Sequence, residues 1–281
     1  MGKIKITCDS ACDLPAALAE RYHILQLPLS VSFGDYLRKD SAEVKEQDFY
    51  HYSEQTGNLP EIYPVSEKQY FECFKSYIDQ GFQVLHVSLS GQLSKCYENA
   101  CSAASALPKV AVVDSRSFSV GAGQLALLAA ELVSADYRLN ELADALNEMK
   151  QHLSMSCILR SSEFLHGNRK RGRLQLLGEH IFHLKPEIRL QNGKIIENCP
   201  FSGDMESAIF SYVRSLLAGK ENIQTDRVFL TYSEVSGEVL ERVRKLLRQL
   251  QPFEQILEVP EASAVSLRCG PGSLGLAFMT K

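Results

Sequence analysis

Residues 3–15, KIKITCDSACDLP, set the order of elements that the first half of the chain repeats. Lys3 to Asp9 is typical of a β-strand. Asp13-Leu14-Pro15 then favours the start of a helix, because Asp is a good N-cap and Pro is tolerated in the first turn. A strand, a short turn and a helix form the repeating unit of an α/β fold with a parallel sheet.

Strands and helices continue to alternate after this stretch. Residues 67–80 place aromatic and aliphatic side chains on one helical face, and residues 123–133 are apolar nearly all round, which predicts a helix packed on both sides. The other predictions for this half are helices over 94–106 and 139–153 and strands over 26–33, 84–88 and 109–113. We therefore expect an N-terminal α/β domain with a mainly parallel sheet flanked by helices.

The pattern changes after a strand predicted over 155–159. Gln191-Asn192-Gly193 is a strong hairpin turn between strands over 184–190 and 194–197. Helices are predicted over 205–217 and 239–250, and strands over 227–232, 254–259 and 274–279. This order predicts a C-terminal α+β domain with a mixed sheet, and we place the domains at residues 1–158 and 159–281.

The composition is that of a globular protein and argues against several classes of function. The chain has 281 residues, of which 45% are apolar and 23% charged, and its formal net charge is -4. An acidic balance argues against nucleic acid as a partner, and no apolar stretch approaches the ~18 residues of a membrane span. The start of the chain lacks the apolar core of a signal peptide, so we expect a cytoplasmic protein.

The eight cysteines give no sign of a metal centre. None of them forms a Cys-x-x-Cys pair, and the seven histidines are equally scattered. In a chain without a secretory signal, reduced thiols are the expected state. The sequence therefore supports neither a disulfide framework nor a metal site.

Small and polar residues follow the predicted strands at four places. These are Thr7 to Ser10, Ser88 to Ser94, Val113 to Ser115 and Arg268 to Gly272. Ligands of parallel sheets bind at the carboxyl ends of the strands, where backbone N–H groups and hydroxyls suit an anionic head group. Taken singly, each segment is better explained by caps and turns than by a binding site.

No nucleotide or nucleophile motif is present. The chain has no Gly-x-x-x-x-Gly-Lys-Ser/Thr loop and no Gly-x-Ser-x-Gly elbow. The letters Gly-x-Gly-x-x-Gly occur at Gly270 to Gly275, but they run into the strand predicted over 274–279 and do not open a helix, as the dinucleotide fingerprint requires. A basic stretch at Arg169 to Arg173 is either a solvated loop or a surface for a partner or an anion. The residues alone thus favour a binding protein over an enzyme that uses nucleotides.

The chain resembles the DegV family through motifs that occur in the family's order. Residues 7–15 resemble its opening Thr-Asp-Ser…Asp-Leu-Pro. Residues 90–97, SGQLSKCY, fall on its Ser-Ser-x-Leu-Ser-Gly-Thr-Tyr segment, and Gly270-Pro271-Gly272 on its terminal Gly-Pro-Gly. Further matches are Pro28-Leu29, Phe33-Gly34, Val113-Asp114-Ser115, Ser119, Gly121, Arg171-Gly172-Arg173-Leu174, Leu184-Lys185-Pro186 and Leu274-Gly275. The resemblance covers nearly the whole chain.

The resemblance implies a two-domain protein that buries a long-chain fatty acid in a tunnel between its domains. The best understood members are not enzymes and have no cofactor. They present the fatty acid carboxylate to a separate fatty acid kinase, which makes acyl phosphate for phospholipid synthesis. Membrane contact would be transient at most. On this basis, the residues expected at the ligand are Ile62, Tyr63, Ser90, Gly91, Gln92, Ser94, Ser119, Arg173, Arg268, Gly270 and Gly272.

The chain departs from the family pattern at the expected head-group end. Ile62 stands where the family has a Thr that helps hold the carboxylate, and Gly91 replaces the second Ser of its double-serine loop. Lys95-Cys96 replaces Gly-Thr, and Arg268 replaces a His. We expect Arg268 to bind the carboxylate, together with Ser90 or Ser94.

Two other functions stay open: a small-molecule phosphotransfer enzyme related by fold to dihydroxyacetone kinases, and an interaction protein that has lost its lipid.

Overall fold

Three β-sheets organise the chain in its computed structural model, which describes residues 3–40, 44, 46–133, 137–165 and 184–281. The first is a parallel sheet of four strands in the order β2-β1-β6-β7. Its strands are β1 (Ile4–Asp9), β2 (Leu25–Leu27), β6 (Gln83–Ser88) and β7 (Val110–Asp114). The predicted mainly parallel N-terminal sheet is confirmed.

Helices flank this sheet as the alternating sequence predicts. They are α1 (Ala16–Arg21), α3 (Glu67–Asp79), α4 (Cys96–Ser105), α5 (Ser119–Val133) and α6 (Leu139–Met149). Ser66 begins α3 with a capping box, in which its hydroxyl accepts from the Gln69 N–H and the Gln69 side chain accepts from the Ser66 N–H. Within the described residues, no helix combines the length and the apolar character needed to cross a membrane.

The second sheet is mixed and has the order β10-β9-β8-β13-β11-β12. Only β11 and β12 pair in parallel; the other neighbours are antiparallel. Its strands are β8 (Leu153–Ile158), β9 (Leu184–Gln191), β10 (Lys194–Ser202), β11 (Ile223–Tyr232), β12 (Gln255–Pro260) and β13 (Leu274–Thr280). The predicted hairpin is confirmed, since Asn192 and Gly193 both have a positive φ, as a type I′ turn requires.

Two helices and α5 cover the two faces of the mixed sheet. The helices α7 (Met205–Leu217) and α8 (Gly237–Leu250) share one apolar core with the sheet. The helix α5 is buried on nearly all sides, because it contacts β1 as well as β11 and β13. The helix predicted to pack on both sides is therefore the element that joins the two large sheets.

The third sheet differs from the sequence prediction. The single strand predicted over 26–33 is wrong: β2 ends at Leu27, and a separate β3 (Ser30–Phe33) pairs antiparallel with β4 (Tyr36–Lys39) and β5 (Glu61–Tyr63). Pro28 interrupts the run because it lacks the N–H that a continuing strand would donate. The helices α2 (Glu46–Thr56) and α9 (Ser263–Cys269) pack together beside this sheet and were not predicted.

The strand β8 bears on the division into domains. It precedes residue 159 in the chain but lies between β9 and β13 in the mixed sheet. The first 158 residues therefore contribute one strand to the sheet of the second half, and the boundary after residue 158 stays a prediction.

Candidate functional site

An apolar cavity of about 440 Å³ lies where elements of both halves of the chain meet. Its walls come from β5, the loop after β6, the start of β10 and the helix α9. The apolar lining residues are Ala11, Leu29, Ile62, Pro64, Leu89, Leu93, Phe118, Leu165, Ile195, Ala264 and Val265. This volume falls within the range of small-molecule sites, and the apolar walls suit a hydrocarbon chain.

The polar groups of the cavity are two cations, a hydroxyl and a thiol. Among the described residues, Ser94, Lys95, Arg268 and Cys269 complete the lining, and none of the described lining residues is a carboxylate. Lys95 and Arg268 are exposed, so their charges lie at the rim. Partial burial lowers the pKa of Arg268, and the nearby carboxylate of Glu61 partly offsets this. Apolar walls with cations at the rim fit an amphipathic anion.

The structure places three of the predicted site residues on the cavity. These are Ile62, Ser94 and Arg268. Ser90 is buried nearby, but its hydroxyl donates to the Gly193 carbonyl at 2.7 Å and accepts from the Gln92 N–H at 3.2 Å. Its proton is therefore directed at the β9–β10 turn. Among the described residues, Ser94 therefore supplies the hydroxyl that lines the cavity.

Tyr63, Gly91 and Gln92 are not among the residues that line the cavity. The Gly91 N–H donates to Asp114 Oδ1 at 3.3 Å, and Gln92 is exposed. Tyr63 is 46% exposed, and its hydroxyl donates to Glu61 at 2.7 Å. Arg173 lies outside the described residues. The roles assigned to these residues stay predictions.

Two of the predicted glycines shape the end of α9. Gly270 follows the last residue of the helix with a φ of 77°, and a Cβ there would lie 2.5 Å from Cδ2 of Phe164. Gly272 also has a φ of 77°. The prediction that Arg268 to Gly272 follows a strand is wrong, because Arg268 belongs to the last turn of a helix. Helix α9 thus carries Arg268 to the cavity.

Two buried carboxylates hold the amino-terminal end of α9. Asp13 Oδ1 accepts from the Ala262 N–H at 3.0 Å, and Asp40 Oδ1 accepts from the Ala264 N–H at 3.1 Å. The second oxygen of each accepts from a hydroxyl at 2.6 Å, that of Ser119 for Asp13 and that of Ser10 for Asp40. These four bonds fix the helix that presents Arg268. Asp13 and Ser119 therefore act at a distance from the cavity.

Burial makes the charged form of Asp13 unfavourable. Burial raises the pKa of this carboxyl to about 7, and the nearby charge of Asp40 contributes to the increase. The hydrogen bonds from Ser119 and Ala262 lower the pKa but do not cancel the effect of burial. Burial also raises the pKa of Asp40. A folded-state pKa above the unfolded one means that the folded protein binds more protons. Stability from this group is therefore present at low pH and is lost as the pH rises through about 7.

We expect Asp13→Asn to remove this pH dependence. Between pH 6 and 8 the wild type should lose roughly 1.4 kcal/mol of unfolding free energy relative to the variant. The Asn oxygen can still accept from Ala262, and its amide can donate to Ser119. Urea unfolding of both proteins at the two pH values measures the difference, and parallel pH profiles would contradict the assignment.

A second buried network supports the loop that precedes α4. Asp9 accepts hydrogen bonds from the Tyr70 hydroxyl, the Ser88 hydroxyl at 3.0 Å and the Leu89 N–H at 2.8 Å. Nε2 of His86 lies 3.4 Å from Oδ1 of Asp9. Burial acts to raise the pKa of Asp9, but His86 and these hydrogen bonds together lower it. This carboxylate orients Leu89, which is part of the cavity wall.

One group in the described part of the chain has ligand types that metals use. The side-chain ligand atoms of Cys157, Glu261 and Cys269 lie within 4.8 Å of one another, and all three residues are buried. The pKa of each of the two thiols is raised. The Glu261 carboxylate accepts from the Ser273 hydroxyl. Both cysteines are free thiols in the structure, and the reduced state of the protein stays a prediction.

Comparison with known proteins adds a family and a set of related structures. A family model described as "Uncharacterised protein, DegV family" matches residues 3–281. A DegV domain-containing protein of Clostridium perfringens is 30% identical over 167 residues, which are 59% of this chain and 60% of that protein. A protein of Thermotoga maritima named "Fatty acid-binding protein" is 24% identical and matches 98% of this chain and 97% of its own length.

Solved structures share the fold along the whole chain. One from Thermus thermophilus, described as showing fatty acid binding of a DegV family protein, has a TM-score of 0.85 at 24% identity and covers 99% of this chain and all of its own. A DegV family protein from Eubacterium eligens loaded with heptadecanoic acid has a TM-score of 0.83 at 14% identity, with 99% and 100% covered. At these identities the likeness establishes the fold.

Proposed function

The chain belongs to the DegV family, and on that premise we propose that it binds a long-chain fatty acid in the cavity beside α9. The acyl chain lies against the apolar walls, and the carboxylate meets Arg268, Lys95 and the Ser94 hydroxyl. One observation carries the proposal: an apolar cavity whose charged lining residues, among those that the structure describes, are both cations. Relatives of similar fold are named for fatty acid binding, which supports the same ligand class.

Burial of the chain supplies the affinity in this proposal. At ~0.8 kcal/mol per buried methylene, roughly 14 methylenes gain about 11 kcal/mol before the costs of ordering. The head group then mainly orients the ligand in the cavity and supplies the smaller part of the binding free energy. The two basic side chains keep the carboxylate at the rim, because an ionised carboxylate is poorly accommodated among the apolar walls.

We further propose that the protein is a carrier that presents the head group to a separate fatty acid kinase. The exposure of Lys95 and Arg268 supports this, since a carboxylate held at the rim stays within reach of a second protein. The carrier itself performs no chemistry, works in the cytoplasm and touches membranes only transiently. The predicted docking surface for the kinase, Arg169 to Arg173, lies outside the described residues.

Native mass spectrometry of the protein purified from cells tests the ligand. The proposal expects a population whose added mass equals one long-chain fatty acid, released by collisional activation as a carboxylate. An empty protein that cannot be loaded with palmitate would contradict it. Turnover of ATP by such an empty protein would favour the phosphotransfer alternative, and an empty inert protein the lipid-free interaction alternative.

A bound fatty acid should stabilise the fold. A ligand that binds only the folded state adds about 2.7 kcal/mol at 100 times its Kd, which corresponds to a rise in Tm of roughly 5–10 °C for a chain of this size. Differential scanning calorimetry of delipidated and reloaded protein measures the change. Equal melting temperatures would count against a buried acyl chain.

A further inference from the structure

The rim of the cavity carries more positive charge than is needed to neutralise one carboxylate. Lys95 stands at the N-cap position of α4, and Arg268 lies in the last turn of α9. Both line the same cavity, and no acidic residue of the described ranges does. Two cations from separate elements therefore border the cavity in which the ligand is proposed to lie.

No carboxylate in the described residues neutralises these two cations by direct contact. Neither Lys95 nor Arg268 takes part in an ion pair within the described ranges. The closest acidic influence on Arg268 is Glu61, which acts on it through space and accepts a hydrogen bond from Tyr63. Glu61 is exposed, so solvent screens much of its charge. The two cations are available to an anion.

The two positive charges at the rim also exceed the single negative charge of a carboxylate. The Arg268 guanidinium and the Lys95 ammonium offer several N–H donors, and Ser94 adds a hydroxyl. A carboxylate brings one charge and two oxygens. A phosphate monoester brings about −1.5 to −2 charges near pH 7 and three strong acceptor oxygens. The second head group matches both the charge and the donors of this rim.

We infer that this cavity binds single-chain lipids with a phosphomonoester head group, such as alkyl phosphates and lysophosphatidates, more tightly than fatty acids. The inference rests on the proposed function in one respect, because the hydrocarbon chain occupies the same cavity. In this proposal Lys95 and Arg268 each bind a phosphate oxygen, and the Ser94 hydroxyl donates a hydrogen bond to the third. Loss of either cation should weaken the phosphate lipid more than the fatty acid.

The test compares dodecyl phosphate with dodecanoate, which have the same chain and different head groups. Displacement of a fluorescent fatty acid by each is measured at pH about 7.5, where a phosphate with a second pKa near 6 is mostly dianionic. We expect the wild type to bind dodecyl phosphate about tenfold more tightly. Lys95→Gln should bring the two affinities within about twofold of each other, and Arg268→Gln should weaken both ligands.

The matched control is Lys245→Gln, which removes a surface cation on α8 that is not part of the cavity lining. It should leave both affinities unchanged. Equal or tighter binding of dodecanoate by the wild type, or an unaltered ratio in Lys95→Gln, would overturn the inference and leave fatty acid binding intact. If the fluorescent fatty acid itself does not bind the wild type, the inference and the proposed function fail together. If it binds and neither dodecyl ligand displaces it, the inference alone fails.

Discussion

The substitution Val265→Phe is expected to weaken fatty acid binding at least 100-fold. Val265 is buried in α9 and lines the cavity, so the larger ring takes space that the acyl chain would occupy. If roughly four methylenes lose their place at about 0.8 kcal/mol each, the loss is about 3 kcal/mol. The displacement titration with a fluorescent fatty acid measures it directly.

A matched substitution separates this effect from general disturbance of the fold. Val235→Phe introduces the same change at a partly buried position that packs on the core of the mixed sheet and not on the cavity. It should bind fatty acid like the wild type. Unchanged affinity in a folded Val265→Phe protein would mean that the acyl chain lies elsewhere.

The substitution Asp9→Ala is expected to cost about 3–5 kcal/mol of unfolding free energy. It leaves the Tyr70 hydroxyl, the Ser88 hydroxyl and the Leu89 N–H without their acceptor in a buried place. Because Leu89 is part of the cavity wall, lipid affinity should fall as well. Urea unfolding at neutral pH gives the change in stability.

Asp9→Asn is the control for this loss. It keeps the shape and one acceptor oxygen, so its cost should be clearly smaller than that of Asp9→Ala. The lowered pKa of Asp9 also determines how the free energy of unfolding depends on pH. The stabilisation by Asp9 is present above the unfolded pKa of 3.8 and is lost as the pH falls through the lower pKa of the folded state. A cost below about 1 kcal/mol for Asp9→Ala would show that the network does not hold the loop.

The parallel sheet could be predicted because its signals are local. Strand β1 is followed within a few residues by a helix, and β6 and β7 are short apolar runs next to turns. The Asn192-Gly193 turn likewise carries its own conformational preference. These elements need no knowledge of distant residues.

Helix α9 could not be predicted for the opposite reason. Its sequence, SAVSLRC, contains Ser, Val and Cys, which have modest helix propensity. What holds its start are Asp13 and Asp40, and the bond from Ala262 to Asp13 spans 249 residues. The short strands β4 and β5 were missed because four and three residues are too few for a periodic pattern.

The candidate site was predicted only in part. The motif comparison pointed to Ile62, Ser94 and Arg268, which do lie on one cavity. It did not assign Lys95 to the ligand, although that residue was visible as a departure from the pattern. Nor could it show that the Ser90 proton is directed at Gly193, because the direction of a hydroxyl depends on the packing of the β9–β10 turn.

Photolabelling with a fatty acid that carries a diazirine in its chain tests the location of the lipid most directly. After illumination and digestion, peptides bearing the label are identified by mass spectrometry. The account predicts label on peptides that contain Leu93 or Val265, competed away by unlabelled palmitate. Label confined to a separate cavity lined by Tyr77, Phe82 and Tyr137 would contradict it.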